Sequence, residues 1–284
     1  MYKLIVQGTD IPTQELKTLA KLSGASAIEA IELPGLAHQA FKLPDANPQH
    51  REAVQAHVEG RAMDVSYMPA SATLADIGLV VMDMDSTLIT IECIDEIADM
   101  LGIKEQVGAI TEQSMRGEID FSQSLAARVA LLAGLEASAL QRVYDERLKL
   151  TPGALLMLKT LHGLGIKSLL ISGGFTFFTE RLKSRLDLSE TVANMLEISD
   201  DKLTGRITGP LIDAAAKAEH LIRLRTELGL RPDQVIALGD GANDLQMLAA
   251  AGYGIAYHAK PVVRAKAAYA LSHVGLDGVL ALFA

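Results

Sequence analysis

Short unbroken apolar runs alternate with longer stretches of helical period along most of this chain, but its first 70 residues follow a different rhythm. There KLIVQG (3–8) reads as a strand, and TQELKTLAKLSG (13–24) reads as a helix with Thr13 at its N-cap and Gly24 as its stop. SAIEAIELPGLAHQAFKL (26–43) alternates apolar and polar residues about a Pro-Gly turn, the pattern of a hairpin. NPQHREAVQAHVEG (47–60) predicts a second helix with Asn47 as cap and Pro48 in its first turn, and AMDVSYMP (62–69) predicts a closing strand.

Beyond a small-residue stretch the runs IGLVVMD (77–83), IKSLLIS (166–172), QVIALGD (234–240) and YGIAY (253–257) are continuous and apolar, as strands buried on both faces of a parallel sheet are. EISDDKLTGRITG (197–209) predicts a hairpin beside that sheet. Between Leu88 and Pro152 the period is helical: 91–102, 104–117, 120–134 and 136–148, punctuated by Gly102, Gly117 and Gly134. The expectation is an α/β protein with a Rossmann-like parallel sheet and a helical cap, approximately 89–150, inserted after the first strand. Such a cap would roof the carboxyl ends of the strands as a lid. A ferredoxin-like βαββαβ domain precedes it, giving expected boundaries of 1–70, a linker at 71–76, and 77–284.

With 49% hydrophobic and 21% charged residues the chain is an ordinary globular protein. Its net charge of −9, without a basic stripe, argues against nucleic-acid partners. Cys93 is the single cysteine, so an internal disulfide or a cysteine-rich metal site is excluded. Beside Glu92 it reads as a small buried hydrophobe. No apolar run is long enough to span a membrane, and MYKLIVQGTD lacks the regions of a signal peptide; a soluble, cytoplasmic protein is expected.

Candidate chemistry gathers at three strand ends: Asp83-Met84-Asp85-Ser86-Thr87, Ser172-Gly173-Gly174, and Gly239-Asp240-Gly241-Ala242-Asn243-Asp244. In a doubly wound sheet these ends lie together, so the acids converge and require a cation. All-oxygen donors in small number suit Mg²⁺, which keeps waters and takes one or two carboxylates plus substrate phosphate. A calcium loop does not fit, because Leu88 stands at the glycine position and Ile94 at the final glutamate position. Neither a dinucleotide fingerprint nor a G-x-x-x-x-G-K-[ST] loop is present.

DMDST (83–87), SGG (172–174), Lys217 in AAKAEHL and GDGAND (239–244) match the motifs of the haloacid-dehalogenase-like superfamily of aspartyl-phosphate phosphohydrolases. More narrowly, residues from about 77 to 284 resemble the phosphoserine phosphatase family. The resemblance implies that Asp83 is the nucleophile and Asp85 the general acid/base. It places Mg²⁺ on Asp83, the Asp85 backbone carbonyl and Asp240, and the phosphoryl group on Ser172, Lys217 and the Gly173 N–H. Asn243 is expected on the substrate and metal side, with Thr87, Gly174 and Asp244 in support. Glu92 would meet a substrate ammonium and Arg128, set in apolar SLAARVALLAG, a substrate carboxylate, while Met115 and Phe121 close around the ligand. The implied reaction is hydrolysis of O-phospho-L-serine to L-serine and phosphate through a phosphoaspartyl intermediate, the last step of serine biosynthesis. A phosphotransferase or a phosphatase of another small phosphomonoester uses the same motifs, and a non-catalytic amino-acid sensor would not need the nucleophile. The first domain resembles the ACT type of amino-acid-binding module, which implies an amino-acid effector and a homodimer.

Overall fold

The computed structural model describes residues 1–284 apart from the side chain of Met115. Its first part runs β1 (Tyr2–Gly8), α1 (Thr13–Ser23), β2 (Glu29–Ala30), β3 (Gln39–Leu43), α2 (Arg51–Val58) and β4 (Asp64–Pro69). The sheet order β2-β3-β1-β4, antiparallel throughout, is the ferredoxin-like arrangement expected from the order of elements. Gly24 ends α1 in the left-handed conformation at φ 72°, as expected, but the N-cap is Pro12, and Thr13 is the first helical residue without a capping hydrogen bond. Asn47 does accept from the Gln49 N–H, at 3.0 Å. Leu4, Val6, Leu16, Leu19, Leu43 and Val54 form a separate small core beneath this sheet.

The second part contains β5 (Leu79–Met82), the helices α3 (Cys93–Met100), α4 (Lys104–Met115), α5 (Phe121–Ala130) and α6 (Ser138–Glu146), then α7 (Ala154–Gly163), β6 (Lys167–Phe175) and α8 (Thr176–Leu186). It continues with β7 (Glu190–Ser199), β8 (Lys202–Thr208), α9 (Ala214–Glu227), β9 (Val235–Gly239), α10 (Leu245–Ala250), β10 (Tyr253–Tyr257), α11 (Pro261–Arg264), β11 (Tyr269–Leu271) and α12 (Gly278–Leu282). The sheet order is β11-β10-β9-β5-β6-β7-β8, parallel except for the β7–β8 hairpin. Thus β9, β5 and β6, the strands that end in the three polar clusters, are adjacent. All of β5 is buried, as are the apolar residues of β9, and each of their Val, Ile, Leu and Met side chains contributes about 1.5–3 kcal/mol of hydrophobic stabilisation. The strand ends are therefore rigid mounts for whatever they carry.

The four helices α3–α6 form the expected cap. Its entry and exit run side by side, with Thr90 N–H donating to Lys149 O at 3.0 Å and Thr151 N–H to Leu88 O at 3.0 Å. Its far end is tied to the β8 edge, where Gly134 N–H donates to Leu203 O at 2.8 Å and Leu203 N–H to Leu135 O at 2.8 Å. The two sheets also meet: the Asp64 carboxylate on β4 accepts from the N–H groups of Ser272 (2.8 Å) and His273 (2.9 Å), just after β11.

Candidate active site

After β5 the chain does not stay extended. Met84–Leu88 fold into a tight turn in which Ser86 adopts φ 55°, Leu88 N–H reaches Asp83 O at 3.3 Å and Ile89 N–H reaches Met84 O at 3.0 Å. Simple alternation of side chains, the sequence-level reason for putting Asp83 and Asp85 on one side, is therefore not what aligns them. The turn does it, and both carboxylates line the same cavity. That cavity, about 120 Å³, is also lined by Glu92, Phe121, Arg128, Ser172, Gly173, Gly174, Asp240 and Asn243. It is smaller than the roughly 300–1,000 Å³ of pockets for drug-sized ligands, which favours a small metabolite.

At its base lies a buried ionic cluster. Lys217, on the second turn of α9, is 1% exposed and places Nζ 2.7 Å from Asp83 Oδ2 and 2.7 Å from Asp244 Oδ1. Asp244 Oδ2 accepts from the Gly241 N–H at 2.9 Å, and Thr87 Oγ1 donates to Asp240 Oδ1 at 3.1 Å. Burial, reinforced by the Asp244 carboxylate, raises Asp83 well above the ordinary carboxylate range, against the pull of Lys217. Asp240 is pushed up to about 6 by burial and then by Asp244 and Glu92. Burial works against the Lys217 charge too, but the two acids outweigh it and hold the ammonium above its ordinary value.

Asp83, Asp240 and Asp244 bring carboxylate oxygens within 4.8 Å of one another. With Lys217 as the cation among them, negative charge remains in excess, and the oxygen donors fit a hard divalent ion. Asp244 joins Asp83 and Asp240 in this carboxylate cluster, yet its two oxygens are engaged by Lys217 and Gly241, and the contribution expected from Asp85 is its backbone carbonyl. The Asp85 carboxylate turns instead to the Cys93 N–H, at 3.2 Å. Asp83 and Asp240 are thus the carboxylates common to both sets. A divalent cation should raise the unfolding midpoint at pH 7.5 and do so less at pH 5. Ligands must shed protons to bind, and below about 6 Asp240 is protonated. An equal shift at both pH values would place the ion elsewhere.

Asp85 is pushed up to about 7, first by burial and then by Glu92. The neighbouring Cys93 is fully buried and its thiol is raised by burial, so it is an inert packing residue. A Cβ on Gly174 would sit 2.9 Å from Asp85 Oδ2 and 3.0 Å from Met84 Cε, so a larger residue there would push the Asp85 carboxylate out of place.

The cap supplies the opposite wall. Phe121 begins α5, and its ring lies 3.1 Å from where a Cβ on Gly173 would be. Arg128 is half-buried; among the described residues its hydrogen bond is from Nε to Ser124 O, at 3.3 Å. Burial pulls its guanidinium below the ordinary value, with Asp95, Glu92 and Asp85 opposing. Glu92 accepts from Ser86 Oγ at 2.6 Å. The expected contact from Met115 lies outside the described residues.

A family model described as haloacid dehalogenase-like hydrolase matches residues 77–252, the span that holds every one of these groups. The chain belongs to that family. A second model, described as a domain of unknown function, matches residues 4–54. A phosphoserine phosphatase of Polaromonas sp. is 49% identical over 214 residues, covering 74% of this chain and 91% of that one. Among solved structures, a haloacid-dehalogenase-family hydrolase from Salmonella enterica serovar Typhi superposes with TM-score 0.90 at 34% identity, covering 99% of this chain and 98% of that one. A probable phosphoserine phosphatase from Vibrio cholerae superposes with TM-score 0.84 at 38% identity, covering 99% and 86%. Both hydrolase structures extend over the N-terminal sheet as well as the capped core.

Sequence reasoning missed Asn194, whose side chain enters the site's supporting structure from a strand most of which was not foreseen. One signal was available, an Asn among the apolar residues of TVANMLEI (191–198).

Proposed function

We propose that this hydrolase cleaves O-phospho-L-serine to L-serine and phosphate. The observation that carries this is the polarity of the cavity. One end holds Asp83, backed by the buried Lys217, and the Ser172 turn, suited to a phosphoryl group, and the cap end holds Arg128 and Glu92, suited to an amino acid's carboxylate and ammonium. In this reading an Asp83 oxygen attacks phosphorus and becomes phosphorylated as the bond from phosphorus to the serine oxygen breaks, while Asp85, protonated near neutral pH, gives its proton to that departing oxygen. Asp85 then takes a proton from the water that hydrolyses the phosphoaspartate, returning to its starting state. Lys217 and Ser172 hold the equatorial oxygens, and the cap excludes bulk water. A bound Mg²⁺, held by Asp83, Asp240 and the Asp85 carbonyl, would neutralise charge developing on the phosphoryl oxygens.

Phosphate release from a panel of small phosphomonoesters, with and without Mg²⁺, tests the reading. Equal turnover of phosphoserine and sugar phosphates would reject the substrate and keep the chemistry. Arg128→Ala should lower kcat/KM for phosphoserine by about 10²-fold and leave an ester without a carboxylate nearly unchanged. Equal losses on both would remove the carboxylate clamp. The N-terminal sheet as an effector-binding or dimerising module is supported by its βαββαβ order. Its β4 edge lies against β11, which makes the short β2 edge the side on which a second copy would pair.

A further inference from the structure

The Ser172 turn leaves its sheet. In the parallel pairing of β6 with β7, Ile171 faces Val192 and Phe175 faces Asn194, so four steps along β6 match two along β7. The two extra residues bulge from the ladder, and their main-chain groups need partners other than strand β7. Two are supplied by side chains. The Gly174 N–H donates to Ser172 Oγ at 2.8 Å, and the Gly173 carbonyl accepts from Asn194 Nδ2 at 2.9 Å. The peptide unit joining Gly173 to Gly174 is therefore held at both ends. Because Ser172 Oγ already accepts the Gly174 N–H, its own hydrogen is free to be donated into the cavity.

Asn194 is completely buried and its amide is used twice. Its Oδ1 accepts from the Ile212 N–H at 2.8 Å. The swapped amide orientation would set NH₂ against N–H and oxygen against oxygen, so the two partners fix which atom is which. Ile212 precedes Asp213, the N-cap of α9, whose Oδ1 accepts from the Ala216 N–H at 2.9 Å. Lys217 follows one residue later, and its N–H bonds to Asp213 O at 3.0 Å. One side chain thus ties together the turn bearing Ser172 and the helix bearing Lys217, which come from different parts of the sheet.

We propose that Asn194 is a positioning residue for phosphoryl binding, setting the distance between the Ser172 turn and Lys217. This rests on the reading of that end of the cavity as the phosphoryl site. An amide held at 2.8 and 2.9 Å in a dry interior leaves little play in either partner, whereas a loosened turn places its donors off target.

Asn194→Asp keeps an acceptor for Ile212 and opposes the Gly173 carbonyl with a second acceptor; Asn194→Ser is too short to reach both. Either variant should lower kcat for phosphoserine by about 10²-fold, the effect of a misplacement near 1 Å. Binding of inorganic phosphate, measured by calorimetry on the Mg²⁺-loaded protein, should weaken about tenfold. Inhibition by L-serine, which is held at the cap end, should stay at the native value. A lowered unfolding midpoint with native kcat and native phosphate affinity would overturn the proposal, and so would parallel weakening of phosphate and serine. Failure of both variants to fold would also overturn it, since Asn194 would then serve the fold alone. If the native protein binds phosphate but does not hydrolyse phosphoserine, the substrate reading falls. The comparison of phosphate affinities would then still decide the role of Asn194.

Discussion

Asp83→Asn is expected to cut phosphate release by about 10⁴-fold or more while leaving the protein folded. The carboxylate is the only part of the residue that changes. The amide oxygen can still accept the Met84 N–H, which Asp83 Oδ1 holds at 2.7 Å. Loss of the ion pair with Lys217 weakens the cluster, but repulsion from Asp244 and Asp240 disappears with it. These opposing changes make a small shift in unfolding midpoint the expected outcome, beside a very large one in turnover. An amide nitrogen or oxygen in this position cannot form the acyl phosphate, and water attacking directly would lack the two-step route. Phosphate release and a thermal melt on the same sample check both halves. Turnover within about a hundredfold of the native protein would mean that another group attacks phosphorus.

The elements that place these groups were legible to very different degrees. The ends of β5, β6 and β9 announced themselves because each apolar run, once begun at Leu79, Leu169 or Val235, is unbroken until its polar cluster. The cap was legible through its glycines, of which Gly102, Gly117 and Gly134 take positive φ at helix ends or turns. Most of β7 was not legible. Its residues Glu190–Asn194 are mainly half-buried, so the segment shows neither continuous apolarity nor clean alternation. β11 is three residues long, too short for any period to register. Thr13 drew the N-cap one residue too far along, because Pro12 already has the extended conformation that a cap needs.

The site itself divides the same way. Acids that follow a strand within a few residues could be grouped, because the strand order brings their ends together. What the pattern could not supply was the path between them. The turn at Met84–Leu88, with Ser86 in the left-handed region, and the bulge at Ser172–Gly174 are local departures from regular structure. Departures of this kind are set by contacts with distant residues, such as Asn194 at the bulge and Asp240 and Thr151 at the turn. That the Asp85 carboxylate stands apart from the cluster of Asp83, Asp240 and Asp244 follows from the first of them, since the turn sends it toward the N-terminal end of α3.

Lys217→Met should be costly on two counts that can be separated. The side chain is of similar length and apolar, so packing around its buried stem is retained, and what is lost is the ammonium. Asp83 and Asp244, each 2.7 Å from Nζ, are then left facing one another in the interior. Breaking a buried pair from one side typically costs about 3–5 kcal/mol, because the remaining charge is neither solvated nor paired. For a chain of this size that corresponds to a midpoint lower by roughly 10 °C. Turnover should fall by about 10³-fold, the loss expected when a preorganised cation no longer faces the transferring phosphoryl group. Adding Asp244→Asn removes one of the two opposed carboxylates while its amide oxygen can still accept from Gly241. The double variant should therefore recover much of the midpoint and none of the turnover. Recovery of both would show that Lys217 acts only by neutralising its neighbours. Recovery of neither would show that the instability arises from packing and not from the unpaired buried acids.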